Sequence, residues 1–497
     1  MAGRWEQVHR REVLRLAALG VLSAGLAPLL GCSNGSDAAA PAAGPASTVP
    51  LDPGVPWWLQ GGFAPVADEV EAVDLAVDGA LPPELNGLYV RNGSNPRTGV
   101  SSHWFLGDGM VHGLRLEGGR ATSYRNRYVR TPLYKASSGF GEGVPGGTAS
   151  QSNVSTIWHG GRLLSSGEIG FPYELSPDDL STVGAYDFGG QLRTSMTAHP
   201  KIDPATGRMH FFGYGFVPPF LTYHVVESDG TLVSSTEVPV PGPTMIHDFA
   251  ITETDAVFWD LPVVFDLDAA IAMVADPTGD VFPFRWDPSY GARIGVLPLG
   301  GAGAEVQWSE IEPCYVFHGV NAFRRGSEVV VDVCRHDSMF DGGVLGSGLA
   351  LRRWTVDTAT GGATDEVVDE RSDMELPSRD LRRTGREHRH GYFVQDRRAE
   401  GTVDLGGVIK HDFRSGGRQI WEPGPTEHSG EWLFVADPGG EGDDEGWLLS
   451  FLHDEATRRS RFVVLDATDI ASGPVASVGL PQRVPYGFHA AWVPTAD

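Results

Sequence analysis

From about residue 55 onward the chain is written in short alternating or wholly apolar runs separated by glycine, aspartate and asparagine. Runs such as GRMHFFGYGF, GTLVSSTEVPV, SEVVVDVCRH, GWLLSFLHD and SRFVVLDA have the character of half-buried or fully buried strands. The segments PATG, ESDG and RRGS between such runs carry residues that reverse a chain tightly. Apolar run, turn, apolar run is the signature of antiparallel hairpins in series, so the fold class is all-β. Hairpin sheets in succession can form a propeller or an array of sandwiches. No fixed-period signature such as a recurring Trp-Asp pair separates the two, and the pattern favours the propeller. Helical periodicity is scarce: DLDAAIAMVAD, Asp266 to Asp276, predicts one short helix suited to a lid. No interior linker breaks the pattern, so residues 56–497 are expected to form a single domain.

Composition agrees with this reading. Among 497 residues, 65 glycines and 35 prolines favour turns over long helices, and a hydrophobic fraction of 41% supplies a large core. The formal net charge of -26 repels a phosphate backbone, and no basic stripe interrupts it beyond the extreme N-terminus, which argues against nucleic acid as a partner.

The N-terminus reads as an address. In HRREVLRLAALGVLSAGLAPLLGCS, paired arginines at 10 and 11 precede an apolar run from Val13 to Leu30, and Cys32 follows Leu29-Leu30-Gly31. That order is a cleavable export signal over residues 1–31, similar to a twin-arginine signal, and LLGC resembles a bacterial lipobox with Cys32 as the acylated residue. The run is near the lower limit for crossing a bilayer, roughly 17 residues, which weakens a transmembrane reading. Residues 32–55, small, polar and proline-spaced, have nothing to bury and read as a disordered tether. The expected location is the cell envelope of a bacterium, on the outer face of the cytoplasmic membrane. Of the three cysteines, Cys314 and Cys334 remain after Cys32. Counting back from the Arg325-Gly326 turn puts them out of register, which predicts two buried free thiols.

Candidate chemistry lies in the 16 histidines. Four share a setting of apolar or aromatic approach and small, turn-forming or acidic exit: His199 in TAHPKIDPATG, His247 in MIHDFAIT, His318 in CYVFHGVNAF and His489 in VPYGFHAAW. They fall in different predicted sheets, unlike a helical zinc site whose ligands are one turn apart, so only a closed architecture could bring them together. Composition and spacing alone leave buried, hydrogen-bonded core histidines as the competing reading.

The ordered segments LPPELNGLYVRNGSNP, HWFLGDGMVHGLRL, TAHPKIDPATG, MIHDFAITETDAVFWDLPVVFD, FHGVNAF, DDEGWLLSFLHD, FVVLDATDI and VPYGFHAAW resemble the carotenoid cleavage oxygenase family, from about Leu81 to Trp492. The resemblance implies a seven-bladed β-propeller, with loops and short helices capping an axial non-haem iron(II), Fe(2+), held by His199, His247, His318 and His489. It also implies three glutamates that orient the imidazoles: Glu168 in RLLSSGEIGFPYEL, Glu375 in MELP and Glu431 in SGEWLFVADP. Two positions depart from the family pattern. Trp432 stands where the family usually has proline, and Leu106 stands where it commonly has aspartate, in a strand connection or on the tunnel floor. The acids Asp443, Asp444 and Glu445 read as a turn. His411, in IKHDFRSG, repeats the His-Asp-Phe triplet but is approached by lysine, so it is assigned to the surface. His103, His112, His388, His390 and His453 are assigned structural roles, as hydrogen-bonded or solvent-facing rings.

The implied reaction is oxidative cleavage of an alkene by O2 into two carbonyl products, without external reductant and with no catalytic side chain beyond the metal centre. The implied partners are O2 and a long apolar polyene, entering through a tunnel. Its expected lining includes Phe249, Phe317, Phe488 and Trp259, with Phe323 and FVPPFL, Phe216 to Leu221, as further candidates. LPVVFDLDAAIAMV would add an apolar mouth facing a membrane surface. Two alternatives stand beside a carotenoid or apocarotenoid substrate. One is a stilbene of lignin type, for which Tyr134-Lys135 offers a phenolate-binding pair; the other is a lipoprotein that binds apolar ligands without turnover. No Gly-x-Gly-x-x-Gly after a strand and no Cys-x-x-Cys-His suggests another chemistry.

Overall fold

The computed structural model describes residues 52–136, 146–275, 281–342, 344–371, 373–397 and 403–495. The export segment, Cys32 and the tether as far as residue 51 lie outside the described residues. The apolar runs become strands: GRMHFFGYGF contains Met209–Tyr214, SEVVVDVCRH contains Glu328–His336, GWLLSFLHD is Gly446–Asp454, and SRFVVLDA overlaps Arg459–Asp466 from that strand's second residue on. The RRGS turn closes one hairpin by pairing Arg325 with Glu328, and Gly326 takes the left-handed φ of 61° that this turn requires.

Seven antiparallel sheets follow one another as propeller blades. Blade 1 holds Gly87–Ser94, Gly109–Glu117 and Arg120–Tyr128, with Glu71–Leu75 at one edge and the C-terminal Ala490–Pro494 at the other. Blades 2 to 6 begin with Ser155–His159, Lys201–Ile202, Ala250–Ile251, Tyr315–Arg325 and Met374–Ser378. Blade 7 holds Glu427–His428, Leu433–Ala436, Gly446–Asp454, Arg459–Asp466 and Pro474–Gly479, and accepts Val77–Gly79 at its edge. The ring is thus closed twice, with Leu88 opposite Val493 and Val77 opposite Val478, which covers edges that would otherwise recruit foreign strands.

Contacts between blades locate the axis. Ala250–Ile251 touches Tyr315–Arg325, which touches Met374–Ser378; Leu433–Ala436 touches Ala490–Pro494, which touches Ser155–His159. The strands that meet are the end strands of their sheets, so these line the centre.

Between blades the sheets pack face to face through large apolar side chains. Phe212, Phe249, Phe258, Trp259 and Trp354 form the centre of the largest cluster, all within 1% of full burial. Among the described residues, a small sheet, Val263–Phe265 with Phe284–Trp286, and two helices, α1 Pro132–Ala136 and α2 Leu267–Ala275, lie outside the blades. Helix α2 is the predicted one, and Asp266 caps it by accepting from Ala269 N at 3.0 Å. Cys314 and Cys334 are buried and free as expected: Tyr315 pairs with His336, leaving the two cysteines offset along the hairpin.

Candidate metal centre

Every blade contributes one residue to the axial cluster. His199 precedes Lys201–Ile202 of blade 3, His247 precedes Ala250–Ile251 of blade 4, His318 lies within Tyr315–Arg325 of blade 5, and His489 leads into Ala490–Pro494 of blade 1. The remaining blades supply acids: Glu168 after Arg162–Ser166 of blade 2, Glu375 in Met374–Ser378 of blade 6, and Glu431 before Leu433–Ala436 of blade 7. His199, His247 and His489 lie in the loops that enter their strands, and His318 lies near the start of its longer strand, so all four rings meet at one point on the axis.

One nitrogen from each of His199, His247, His318 and His489 lies within 4.8 Å of the others. Nε2 of His199 and Nε2 of His247 are 2.9 Å apart. Two nitrogens each about 2.1 Å from one ion, at right angles, would be about 3.0 Å apart, so this spacing fits two adjacent ligands of a common metal. Nε2 of His318 is buried and has no hydrogen-bond partner, another sign that a cation is the group these lone pairs face.

The opposite nitrogens meet the acids. Nδ1 of His318 donates to Glu375 Oε2 at 2.7 Å and Nδ1 of His489 to Glu431 Oε1 at 3.0 Å. Glu168 Oε1 lies 2.8 Å from His247 Nδ1, close but out of line with the ring N–H, and Tyr214 OH donates to its other oxygen at 3.2 Å. A proton held on Nδ1 leaves the Nε2 lone pair for a metal and fixes the ring plane. His199 alone has no carboxylate on its ring among the described residues. Glu375 also receives His336 Nε2 at 3.2 Å, and Glu431 receives Ala490 N at 2.7 Å.

Burial favours the neutral, ligating form of two of the rings. Burial, reinforced by the other three imidazoles, holds His199 well below the ordinary 6.5, and burial lowers His318. For His247 burial opposes the charge but the Glu168 carboxylate outweighs it, so the value rises. Burial would raise Glu375, yet His318 and His336 hold it well below 4.5. Leu376, next in sequence, has a left-handed φ of 48°, a local strain at the wall of the site.

A cavity opens over the cluster, lined by Trp104, Phe105, Phe317, Leu345, Leu405 and Phe488 among others. Apart from the cluster's own histidines and glutamates, Asp396 is its one polar lining residue among the described residues. Phe317 and Phe488 stand where the sequence placed them. Phe249 and Trp259 do not: Phe249 is fully buried against Phe212 and Phe258, and Trp259 lies behind Gly319 and against Trp354. Both side chains point between blades, toward the core. Phe323, 2% exposed, packs against His388 away from the cavity, and Phe216, stacked on Phe265 at 4.1 Å, is not in the cavity wall either. Residues missed by the sequence reading include Trp104 and Phe105, in the turn Trp104–Leu106, although their motif HWFLGDGM had been singled out.

Of the remaining assignments, some hold and some are corrected. His411 is not on the surface: it is 1% exposed, beside Phe413 and 3.8 Å from Asp369, and remote from the cluster in blade 6. His103, His112, His388, His390 and His453 are all buried, none facing solvent; His112 bonds Tyr124 OH at 2.8 Å and His390 bonds Asp443 at 2.8 Å. The acids of DDEG form a turn, and two of them have protein partners: Asp443 bonds His390 and Asp444 pairs with Lys410 Nζ at 2.8 Å. Tyr134 sits between the guanidinium groups of Arg97 and Arg130, so Tyr134-Lys135 does not line the cavity. Leu106 closes the turn whose other two residues line the cavity and is not itself in the wall. Trp432 is fully buried, donates to Ser429 Oγ at 3.1 Å and meets Trp421 edge to face, while Glu431 still reaches His489.

Comparisons with known proteins agree with this geometry. The profile of the retinal pigment epithelial membrane protein family (RPE65) matches residues 63–494. A carotenoid cleavage oxygenase of Mycobacterium tuberculosis is 37% identical, over 88% of this chain and 97% of its own. Among solved structures, a lignostilbene dioxygenase of Pseudomonas brassicacearum superposes with a TM-score of 0.80 at 27% identity, covering 90% of this chain and 100% of its own. Cobalt-substituted ACO of Synechocystis gives 0.77 at 28% identity, covering 88% of this chain and 98% of its own. With the profile spanning most of the sequence and the propeller carrying its axial histidines, the chain belongs to the carotenoid cleavage oxygenase family, a family of dioxygenase enzymes.

Proposed function

We propose that the protein is a non-haem iron(II) dioxygenase that cleaves one C=C bond of a carotenoid or apocarotenoid into two carbonyl products, consuming one O2. The carrying observation is the convergence of four imidazoles, three of them oriented by carboxylates, at the base of an apolar cavity. Each alkene carbon gains one oxygen atom from the same O2, so atoms and electrons balance without a reductant. His199, His247, His318 and His489 hold the metal, which when bound supplies a Lewis-acidic site for dioxygen. Glu168, Glu375 and Glu431 keep Nδ1 as the protonated nitrogen of their three partners and hold those rings in place. Phe317 and Phe488 adjoin ligand residues in the cavity wall, where they position the polyene and exclude water.

The wall supports a polyene over a phenolic stilbene, since none of its described lining residues is a lysine or tyrosine. The test is iron content and O2 uptake on a panel of carotenoids, apocarotenoids and stilbenes, with products identified by mass. Bound iron and cleavage of a polyene are expected. Turnover of stilbenes alone would replace the substrate, and metal-free protein that leaves every compound intact would favour an apolar-ligand scaffold.

The same proposal places the protein at the bacterial envelope, anchored by acylated Cys32. Exposed Val217, Pro218 and Pro219, beside the Phe216–Phe265 stack, support contact with a bilayer that delivers substrate. The mass of the mature N-terminus tests the anchor, and flotation of the unacylated domain with liposomes tests the patch.

A further inference from the structure

Three of the four cluster histidines are aimed by glutamates; the fourth, His199, has none among the described residues. Its strand, Lys201–Ile202, is only two residues long, too short for ladder hydrogen bonds to fix the preceding loop by themselves. Two residues past His199, Lys201 Nζ lies 2.7 Å from Asp248 Oδ1, and Asp248 directly follows His247. The same carboxylate accepts from Phe249 N at 2.8 Å and, through Oδ2, from Gly319 N at 2.8 Å, immediately after His318. One buried side chain, 1% exposed, therefore touches the backbone or side-chain neighbours of three ligands carried by blades 3, 4 and 5.

The surroundings hold this node still. Arg379, also buried, donates to Val320 O at 2.6 Å and adds a second positive charge near Asp248. Gly319 lets the strand approach closely: a Cβ there would meet Trp259 at 2.8 Å. Trp259, expected in the tunnel, instead braces this strand from behind.

We infer that the Lys201–Asp248 pair is a positioning device for the metal cluster: it locates His199, the ligand without a carboxylate, and fixes its loop relative to the strands of His247 and His318. This rests on the proposed metal centre for its consequence but not for its geometry, so the two are separable. A buried ion pair gives little stability compared with an apolar pair of the same shape, which makes a positioning role a reasonable use of one.

The test uses K201M and D248N. K201M leaves Asp248 its two backbone donors, and D248N keeps one acceptor oxygen, so both changes are nearly isosteric. D332N, which breaks the buried Asp332–Arg353 pair elsewhere in blade 5, is the control for a merely structural loss. Crystal structures of the metal-free proteins are expected to show the His199 imidazole displaced in K201M and D248N and unmoved in D332N. In cobalt-loaded protein the visible spectrum should change, and metal release to a chelator should accelerate at least tenfold, in the first two only. An unmoved His199 ring in both clamp variants would overturn the inference, as would equal acceleration in D332N. Wild-type protein that binds no divalent metal would refute the metal centre while the crystallographic comparison still decides the clamp.

Discussion

Replacing Glu375 by glutamine tests the orienting acids at the position where the structure isolates charge from shape. Glu375 Oε2 accepts from His318 Nδ1 at 2.7 Å and from Leu376 N, and Oε1 lies 3.2 Å from His336 Nε2. A glutamine carbonyl can take over the first two bonds, and its amide can donate to His336 Nε2 once that ring carries its proton on the unpartnered Nδ1, so E375Q should keep the geometry and lose the negative charge. Removing an acceptor behind a metal-bound histidine weakens metal affinity by roughly ten- to a hundredfold, or about 1.4 to 2.7 kcal/mol. The isosteric change belongs at the lower end, about tenfold. E375A, which strands a buried Nδ1–H, belongs at the upper end, about a hundredfold. Competition with a chromophoric chelator measures affinity, and kcat at saturating iron measures what is left once the site is filled. With iron saturating, E375Q should recover most of the wild-type kcat. Wild-type affinity in both variants would refute the reasoning, because the carboxylate would then not hold the imidazole for a metal. Unchanged affinity with a collapsed kcat would assign Glu375 a direct chemical role.

Acid should destabilise the protein steeply. Burial pushes His103 and His388 to about 3 and His210, His224, His411 and His453 to about 4, from 6.5. Their folded values are depressed, so their contribution is complete above pH 6.5 and is lost as pH falls toward 4 and 3, at up to about 1.4 kcal/mol per pH unit for each ring. His428 has the opposite sign: burial opposes its charge, but Asp404 and Glu455 raise it to about 9, so its contribution is present below pH 6.5 and lost as pH rises through 9. Denaturant titrations across pH 4 to 10 should therefore show a loss at both ends; a flat acid limb would contradict the burial of these rings. Cys314, pushed up to about 12 by burial, and Cys334, raised also, should not react with a thiol reagent at pH 8 until the protein unfolds. F249A should cost about 3 to 5 kcal/mol and leave the product pattern intact, whereas F317A should raise KM or move the cleaved bond; identical product patterns from F317A and wild type would remove Phe317 from the substrate wall.

The division between what the sequence reveals and what it hides follows from the backbone. Hairpin periodicity identified the strands, and ordered motifs identified the ring and its seven axial residues, because each lies in a short segment whose neighbours are distinctive. Tunnel residues were harder to find, since the face a side chain takes depends on local irregularity. Phe317 and His318 are adjacent and would face opposite ways on a regular strand, yet both line the cavity. The register between Val316 and Gly319 shifts there, and the bulge turns neighbouring side chains to the same side. Phe249, two residues from His247, was expected in the tunnel lining, but His247 lies in the loop before Ala250–Ile251, where closeness in sequence to a ligand does not fix which way a side chain faces. His411 failed for the converse reason. Its polar flanks suggested solvent, while its position in Leu405–Asp412, a strand covered on both faces, buries it regardless of those flanks. A propeller buries strands through their neighbours in adjacent blades, and no local stretch of sequence records which neighbour will arrive.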